Sequence, residues 1–240
     1  MENKAEANES VRLLGPDTGH ALGKGEIGAV IARAGVGKTA VLVQLALENL
    51  LNGKNVLHVG LDQTVRKVCL WYEEVFNHVT AQGRTSPGAA AWDSILPHRF
   101  VMVFPQNGFS VSQLEHRVGE LSEQGIFHPQ AIVIDGMDLD NDGRRDLEAI
   151  KSMAAANNLF VWLTVRAHRE DMSPDNPLPE SFGQVSDLFS KVLKLEPAGQ
   201  QIFVKTLLPD QDEARDGTLV LDPTSLLLAE CRDEKQAAGF

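Results

Sequence analysis

The sequence predicts an α/β fold: a mainly parallel, twisted sheet flanked by helices, closed at its C-terminal end by antiparallel strands. Three observations carry this prediction. Short apolar runs alternate with stretches of helical periodicity, the pattern of repeated strand–helix–strand units. A loop containing two glycines joins the first strand directly to the first helix. Beyond residue 190 the helical stretches stop, and strands succeed one another at the short spacing that antiparallel pairing permits.

Taken in order, residues 1–12 are polar and read as a flexible lead-in to one domain over 13–228, with 229–240 as a loose tail. From Gly25, the apolar run EIGAVIA reads as a buried strand. The glycine loop follows, then a helix from Lys38, with Gly53 standing where a helix end takes a left-handed residue. A second strand covers 55–61. Thr64 can cap a helix whose apolar residues Val65, Val68, Cys69, Tyr72, Val75, Phe76 and Val79 form a core-facing strip. Residues 81–98, with Gly83, Pro87, Gly88 and Pro97, read as a loop or insertion. Strand 100–104 leads to a helix capped by Ser110 or Ser112 and ending near Gly125. Strand 131–134 leads to a helix capped by Asp142 and running through Asn158. A fifth strand covers 159–165, and the polar stretch 166–179, with three prolines, reads as a mobile surface loop. Strands at 191–195, 201–207 and 218–221 complete the sheet.

With 240 residues, 43% of them hydrophobic, the chain can bury one sizeable core. Its formal net charge of -11 repels a phosphate backbone, so nucleic-acid binding would need a local basic patch. Only Arg144-Arg145 and Arg166 to Arg169 approach one, and nucleic acid is not expected as a partner. Cys69 lies in a helical strip and Cys231 in the polar tail, so no structural disulfide is expected. The N-terminus has no apolar signal core and no apolar run is long enough to span a bilayer. A cytoplasmic protein without a membrane partner is the expectation.

The chemistry begins at the glycine loop. Ala32-Arg33-Ala34-Gly35-Val36-Gly37-Lys38-Thr39 matches the phosphate-binding pattern at every defining position but the first, where Ala32 replaces glycine. Small residues let the backbone N–H groups of Arg33, Ala34, Gly35, Val36 and Gly37 turn inward around phosphate oxygens. The helix that opens with Lys38, Thr39 and Ala40 presents its positive end to the same anion. Lys38 would contact the β- and γ-phosphates of ATP, and the Thr39 hydroxyl would ligate Mg2+. Ile132-Val133-Ile134-Asp135 is an apolar strand ending in a carboxylate; after such a loop, Asp135 is expected to hold the Mg2+ through water. Asp138 to Gly143 begins like a calcium loop, but Ala149 stands where its bidentate glutamate belongs, so the stretch reads as a solvated turn.

Gly25-Glu26-Ile27, the loop itself and Val56-Leu57-His58-Val59-Gly60-Leu61-Asp62 together resemble the RecA-like P-loop ATPases. Within them the likeness is to the ATPase domains of DnaB-type replicative helicases and of KaiC-like proteins, over about residues 13–223. Those helicases also carry alanine at the first loop position. The resemblance implies a RecA-like P-loop NTPase core, ATP as ligand, and a homo-oligomer, ring or filament, with nucleotide near the subunit interface. In these relatives the strand after the first helix ends in a glutamate that activates the attacking water. Asp62 stands there, one methylene shorter; it reads either as that base or as a turn residue beside the Thr64 cap. The resemblance makes Thr164 the candidate γ-phosphate sensor, acting with Lys38. A later strand of the relatives carries a lysine and, two residues on, an arginine, both reaching the neighbouring subunit's nucleotide. Lys205 fits the first, or is an exposed edge-strand lysine; Leu207 replaces the arginine, which removes a cation that can supply orders of magnitude in rate.

The sequence therefore reads as a Mg-ATP-binding RecA-like protein, a slow ATPase with a switch-like or assembly role toward an unknown protein partner. The alternatives are a non-hydrolysing ATP-binding scaffold or regulatory module, and a nucleic-acid-dependent motor or recombination ATPase. The acidic charge weighs against the last.

Overall fold

A computed structural model of the protein describes Leu13 and residues 22–85, 89–139, 143–166, 180–208 and 219–230. Its strands are β1 (Ile27–Ala32), β2 (Val56–Leu61), β3 (Arg99–Phe104), β4 (Ala131–Met137), β5 (Phe160–Arg166), β6 (Lys191–Ala198), β7 (Gln201–Leu208), β8 (Leu219–Leu221) and β9 (Leu228–Glu230). Its helices are α1 (Lys38–Leu51), α2 (Val65–Ala81), α3 (Ala89–Ile95), α4 (Val111–Glu123), α5 (Gly143–Ala156) and the short α6 (Glu180–Gly183). The strands join in one sheet of order β3-β2-β4-β5-β1-β6-β7-β8-β9. Pairing is parallel from β3 to β6 and antiparallel from β6 to β9. This is the α/β fold with a mostly parallel sheet and C-terminal antiparallel strands that the sequence predicts.

Helices cover both faces, which is why β1 and β2 are buried along their whole length and read as continuous apolar runs. One core packs α1 and α2 residues such as Val41, Leu45, Tyr72 and Val75 against Val30, Val133 and Trp162. The other packs Leu114 and Val118 of α4 and Leu147 and Ile150 of α5 against Ile27, Leu57 and Val161. Thr64 caps α2, accepting from the Lys67 N–H, and Ser110 rather than Ser112 caps α4, accepting from that of Gln113.

Helix α1 is buried on nearly every side, Gln44 included, because the C-terminal segment also lies on it. The Gln44 amide donates to the Leu226 carbonyl at 2.8 Å and accepts from the Leu228 N–H at 2.8 Å. It thereby supplies the two hydrogen bonds that the backbone entering β9 would otherwise lack inside the core. Arg84 ties the two ends of the domain, donating to the carbonyls of Leu13 and Leu228.

Four expectations change. Residues 89–95 of the supposed loop form α3, whose Ile95 is buried and whose Trp92 ring lies 5.0 Å from that of Phe76. Local alanine content and burial of the helix's far end outweigh the flanking prolines and glycines. Val65 is not part of the buried strip but is 47% exposed, and its neighbours Thr64, Arg66 and Lys67 are exposed too; the strip begins at Val68, and Cys69 at its margin is half-buried. Strand β4 runs on through a register shift to Met137. Strand β9 carries ordered structure past the expected boundary at 228, held there by Gln44. The readings of 1–12, Asp142, residues 167–179 and 231–240 lie outside the described residues, as does Cys231. Among the described residues no helix is long and apolar enough to cross a membrane.

Gly28 sits in the middle of β1 opposite Trp162 of β5, and a Cβ there would lie 2.7 Å from the indole ring. Gly28→Ala is expected to destabilise the fold by about 2 kcal/mol or more through overpacking. Urea unfolding checks this, and Trp162→Leu in the same chain should recover part of the loss.

Candidate functional site

The site lies at the C-terminal ends of β1, β4 and β5, where open parallel sheets place their ligand crevices. Strand β5 runs between β1 and β4, so a side chain at its end can bridge what the other two deliver.

Strand β1 ends at buried Ala32, and the chain arches out through Arg33, Ala34 and Gly35, all exposed, before re-entering at α1. Gly35 and Gly37 take φ values of 80° and 103°. At Gly37 a side chain is doubly excluded, since a Cβ would also lie 2.5 Å from Leu221 of β8. Gly37 is the N-cap of α1 and offers no side chain to its N–H groups; the first turn holds no acidic residue. The helix dipole and its orphan donors are thus left facing the loop, the arrangement that suits an anion. Lys38 reaches back over the arch, its Nζ donating to the carbonyls of Ala32 at 2.6 Å and Arg33 at 2.9 Å. Ala40 is buried beneath it.

Thr39, one residue on, donates its hydroxyl to Oδ2 of Asp135 at 2.8 Å. Asp135, at the end of β4, is 4% exposed. Its other oxygen accepts from the Thr164 hydroxyl at 2.7 Å, which in turn accepts from the Gly136 N–H at 2.8 Å. The structure therefore brings together Lys38, Thr39, Asp135 and Thr164. A fifth side chain, which the sequence did not single out, joins them: Gln63 donates its amide nitrogen to Oδ2 of Asp135 at 2.6 Å. Asp62, its neighbour, adopts φ 52° and turns its exposed carboxylate to the Gln106 N–H, 2.7 Å away, holding the loop after β3. Asp62 is thereby placed against the edge of the sheet, not on Asp135.

Lys205 lies elsewhere. Its neighbour Val204 packs in the core on the α1 face, so alternation along β7 puts Lys205 on the other face. Its side chain is 59% exposed and binds Glu196 at 2.6 Å; buried Lys194 lies 3.5 Å from the same carboxylate. The Lys205 ammonium holds the Glu196 carboxyl below its usual range, against the opposing effect of burial.

Beneath the site, two residues before Gly60, His58 is buried on β2 with Nδ1 3.1 Å from the Tyr72 hydroxyl. Burial pushes its pKa down to about 4, with the Asp135 charge acting the other way, so the ring stays neutral at neutral pH. The His58 ring adds no positive charge beneath the site.

A Mg2+ ion fits these residues. Thr39 and Asp135 offer two hard oxygens, and among the described residues no cluster of three or more His, Cys, Asp or Glu provides an all-protein cage. Such a pair suits an ion that keeps several waters and takes its remaining ligands from phosphate. Arg33, Ala34 and Gly35 of the arch are exposed, and a Cβ added at Gly35 would meet nothing within 4 Å.

Comparison of the chain with protein-family models gave no match, and neither did comparison with curated proteins.

Proposed function

We propose that the protein is a RecA-like P-loop protein that binds Mg-ATP and hydrolyses it slowly, with the nucleotide acting as a switch or assembly signal. The observation that carries this reading is the meeting of Thr39 and Asp135 at 2.8 Å beside an uncapped helix N-terminus and an open glycine arch. Lys38 would exchange its two carbonyl acceptors for phosphate oxygens, a charge-assisted bond in place of neutral ones. Thr39 and Asp135 would hold Mg2+, which supplies charge neutralisation across the β- and γ-phosphates. Thr164 keeps Asp135 in one rotamer. Gln63, bonded to Asp135, immediately precedes the Thr64 cap of α2, so the site would be linked to the start of that helix, which suits a switch.

Two observations favour the second reading, a non-hydrolysing scaffold: Asp62 is engaged by Gln106, and Lys205 by Glu196. Arg144 is likewise occupied, forked onto Asp187 and bound to Glu148, which weighs against a basic surface for nucleic acid.

Calorimetry with Mg-ATP, followed by turnover across a protein concentration series, separates these readings. We expect saturable binding of Mg-ATP and low activity per subunit that changes little with concentration, because Leu207 cannot supply a cation to a neighbour's γ-phosphate. Absence of nucleotide binding would overturn the assignment; binding without turnover would favour the scaffold.

A further inference from the structure

We propose that Gln63, not Asp62, positions the attacking water for hydrolysis of the γ-phosphate; the inference rests on the Mg-ATP reading above. Gln63, just before α2, meets Thr39 of α1 on the same oxygen of Asp135 at the end of β4. A carboxylate oxygen only accepts, so the group 2.6 Å from Oδ2 of Asp135 is the amide nitrogen, and Oε1 points away from it. That Oε1 is buried and finds no hydrogen-bond partner among the described residues. An orphaned acceptor in such a place carries a desolvation cost that a bound ligand or water would relieve.

The chain on either side is held. Asp62 is fixed at φ 52° by its bond to Gln106, and Thr64 is engaged as the cap of α2. With one N–H on Asp135, the amide keeps a second N–H and the unused acceptor Oε1. It can therefore take one O–H of a water and leave that water's lone pair free to approach phosphorus.

An amide is no base at neutral pH, which defines the chemistry. The water oxygen forms a bond to the γ-phosphorus as the bond to the β,γ-bridging oxygen breaks. The electron pair of that bond leaves with ADP. The water's proton passes to an oxygen of the departing phosphate, and Gln63 stays neutral throughout. Positioning without a general base gives slow turnover, in agreement with the function proposed for the site.

The test measures three quantities on wild type, Gln63→Ala and Asp62→Asn: affinity for Mg-ATP, single-turnover hydrolysis, and affinity for Mg-ADP with aluminium fluoride. The last complex imitates the transferring phosphoryl group and its in-line water, so it reports water positioning without turnover. Gln63→Ala should keep Mg-ATP affinity within about threefold, while hydrolysis and affinity for the aluminium fluoride complex each fall roughly 100-fold. Asp62→Asn should stay within about threefold of wild type in all three. If Gln63→Ala melts at a lower temperature, Gln63→Asn, which keeps the amide and withdraws it by one methylene, serves instead and should show the same selective loss.

Unchanged hydrolysis and aluminium fluoride affinity in the Gln63 variants would overturn the proposal, as would finding the loss in Asp62→Asn. An equal fall in all three affinities and rates would assign Gln63 a structural role only. Wild type that binds Mg-ATP but neither turns it over nor favours the aluminium fluoride complex also overturns it. Wild type that fails to bind Mg-ATP would instead overturn the underlying reading.

Discussion

Lys38→Ala abolishes detectable ATP binding and leaves the protein folded: this is the expected result with the largest effect. The Lys38 ammonium donates to the carbonyls of Ala32 and Arg33, at 2.6 and 2.9 Å, and so sits at the mouth of the arch before any phosphate arrives. Two charge-assisted bonds to phosphate are worth about 3 kcal/mol or more, a loss of roughly 100-fold or greater in affinity. The cost to the fold is no larger. The carbonyl of exposed Arg33 is left to water, the carbonyl of buried Ala32 loses one donor at a cost of about 1–3 kcal/mol, and α1 stays anchored further along by Ala40 to Leu47. Calorimetry with Mg-ATP and the thermal unfolding midpoint together decide the matter. A folded variant that binds ATP as well as wild type would remove the phosphate role from this loop.

Asp135→Asn is expected to erase most of the Mg2+ dependence of ATP binding. The carboxylate serves three donors at once: Thr164 on one oxygen, Thr39 and Gln63 on the other. An amide keeps one acceptor and turns the other position into a donor. Its oxygen can remain toward Thr39 and Gln63, and its nitrogen can face the Thr164 oxygen, which already accepts from Gly136. The hydroxyl proton of Thr164 then lacks an acceptor, a cost of about 1–2 kcal/mol that a domain of this size survives. The bound metal would lose the carboxylate charge of Asp135. ATP affinity measured with Mg2+ and with chelator should converge to within about tenfold in the variant, and turnover should fall at least 100-fold or so. A variant that keeps the wild-type difference between the two conditions would show that Asp135 is not the metal's carboxylate.

Much of the scaffold was legible from residue order alone, because its signals are local. Alternating apolar runs and helical strips define β1 to β5 with their intervening helices, and Thr64 and Ser110 mark helix starts through bonds that span three residues. The loop from Ala32 to Thr39 is legible for the same reason. Its shape depends on backbone conformation that glycine permits, and on a helix that begins at once after it. Asp135 was legible as the polar end of a buried strand. Helix α3 was not, since prolines and glycines on both sides outweighed seven residues of helix whose support comes from Phe76 and the core.

What only the tertiary structure decided is which of two adjacent side chains faces the site. The sequence offers Asp62 alone at this place, because it aligns with the relatives' glutamate and carries a carboxylate, and Gln63 has no signal of its own. The backbone at Asp62 turns left-handed, which sends that carboxylate to the Gln106 N–H on the edge-strand side and delivers the next side chain to Asp135. A strand end that turns over one residue exchanges the directions of neighbours, and no local pattern encodes the choice. The same holds for Gln44, a glutamine within an apolar helix whose two partners lie 182 and 184 residues away. It holds too for Lys205, whose place beside Glu196 depends on the β6–β7 register and on which face of β7 is covered. Sequence order determined the elements and the loop, whose forces act within a few residues; long-range packing determined which polar groups converge on Asp135.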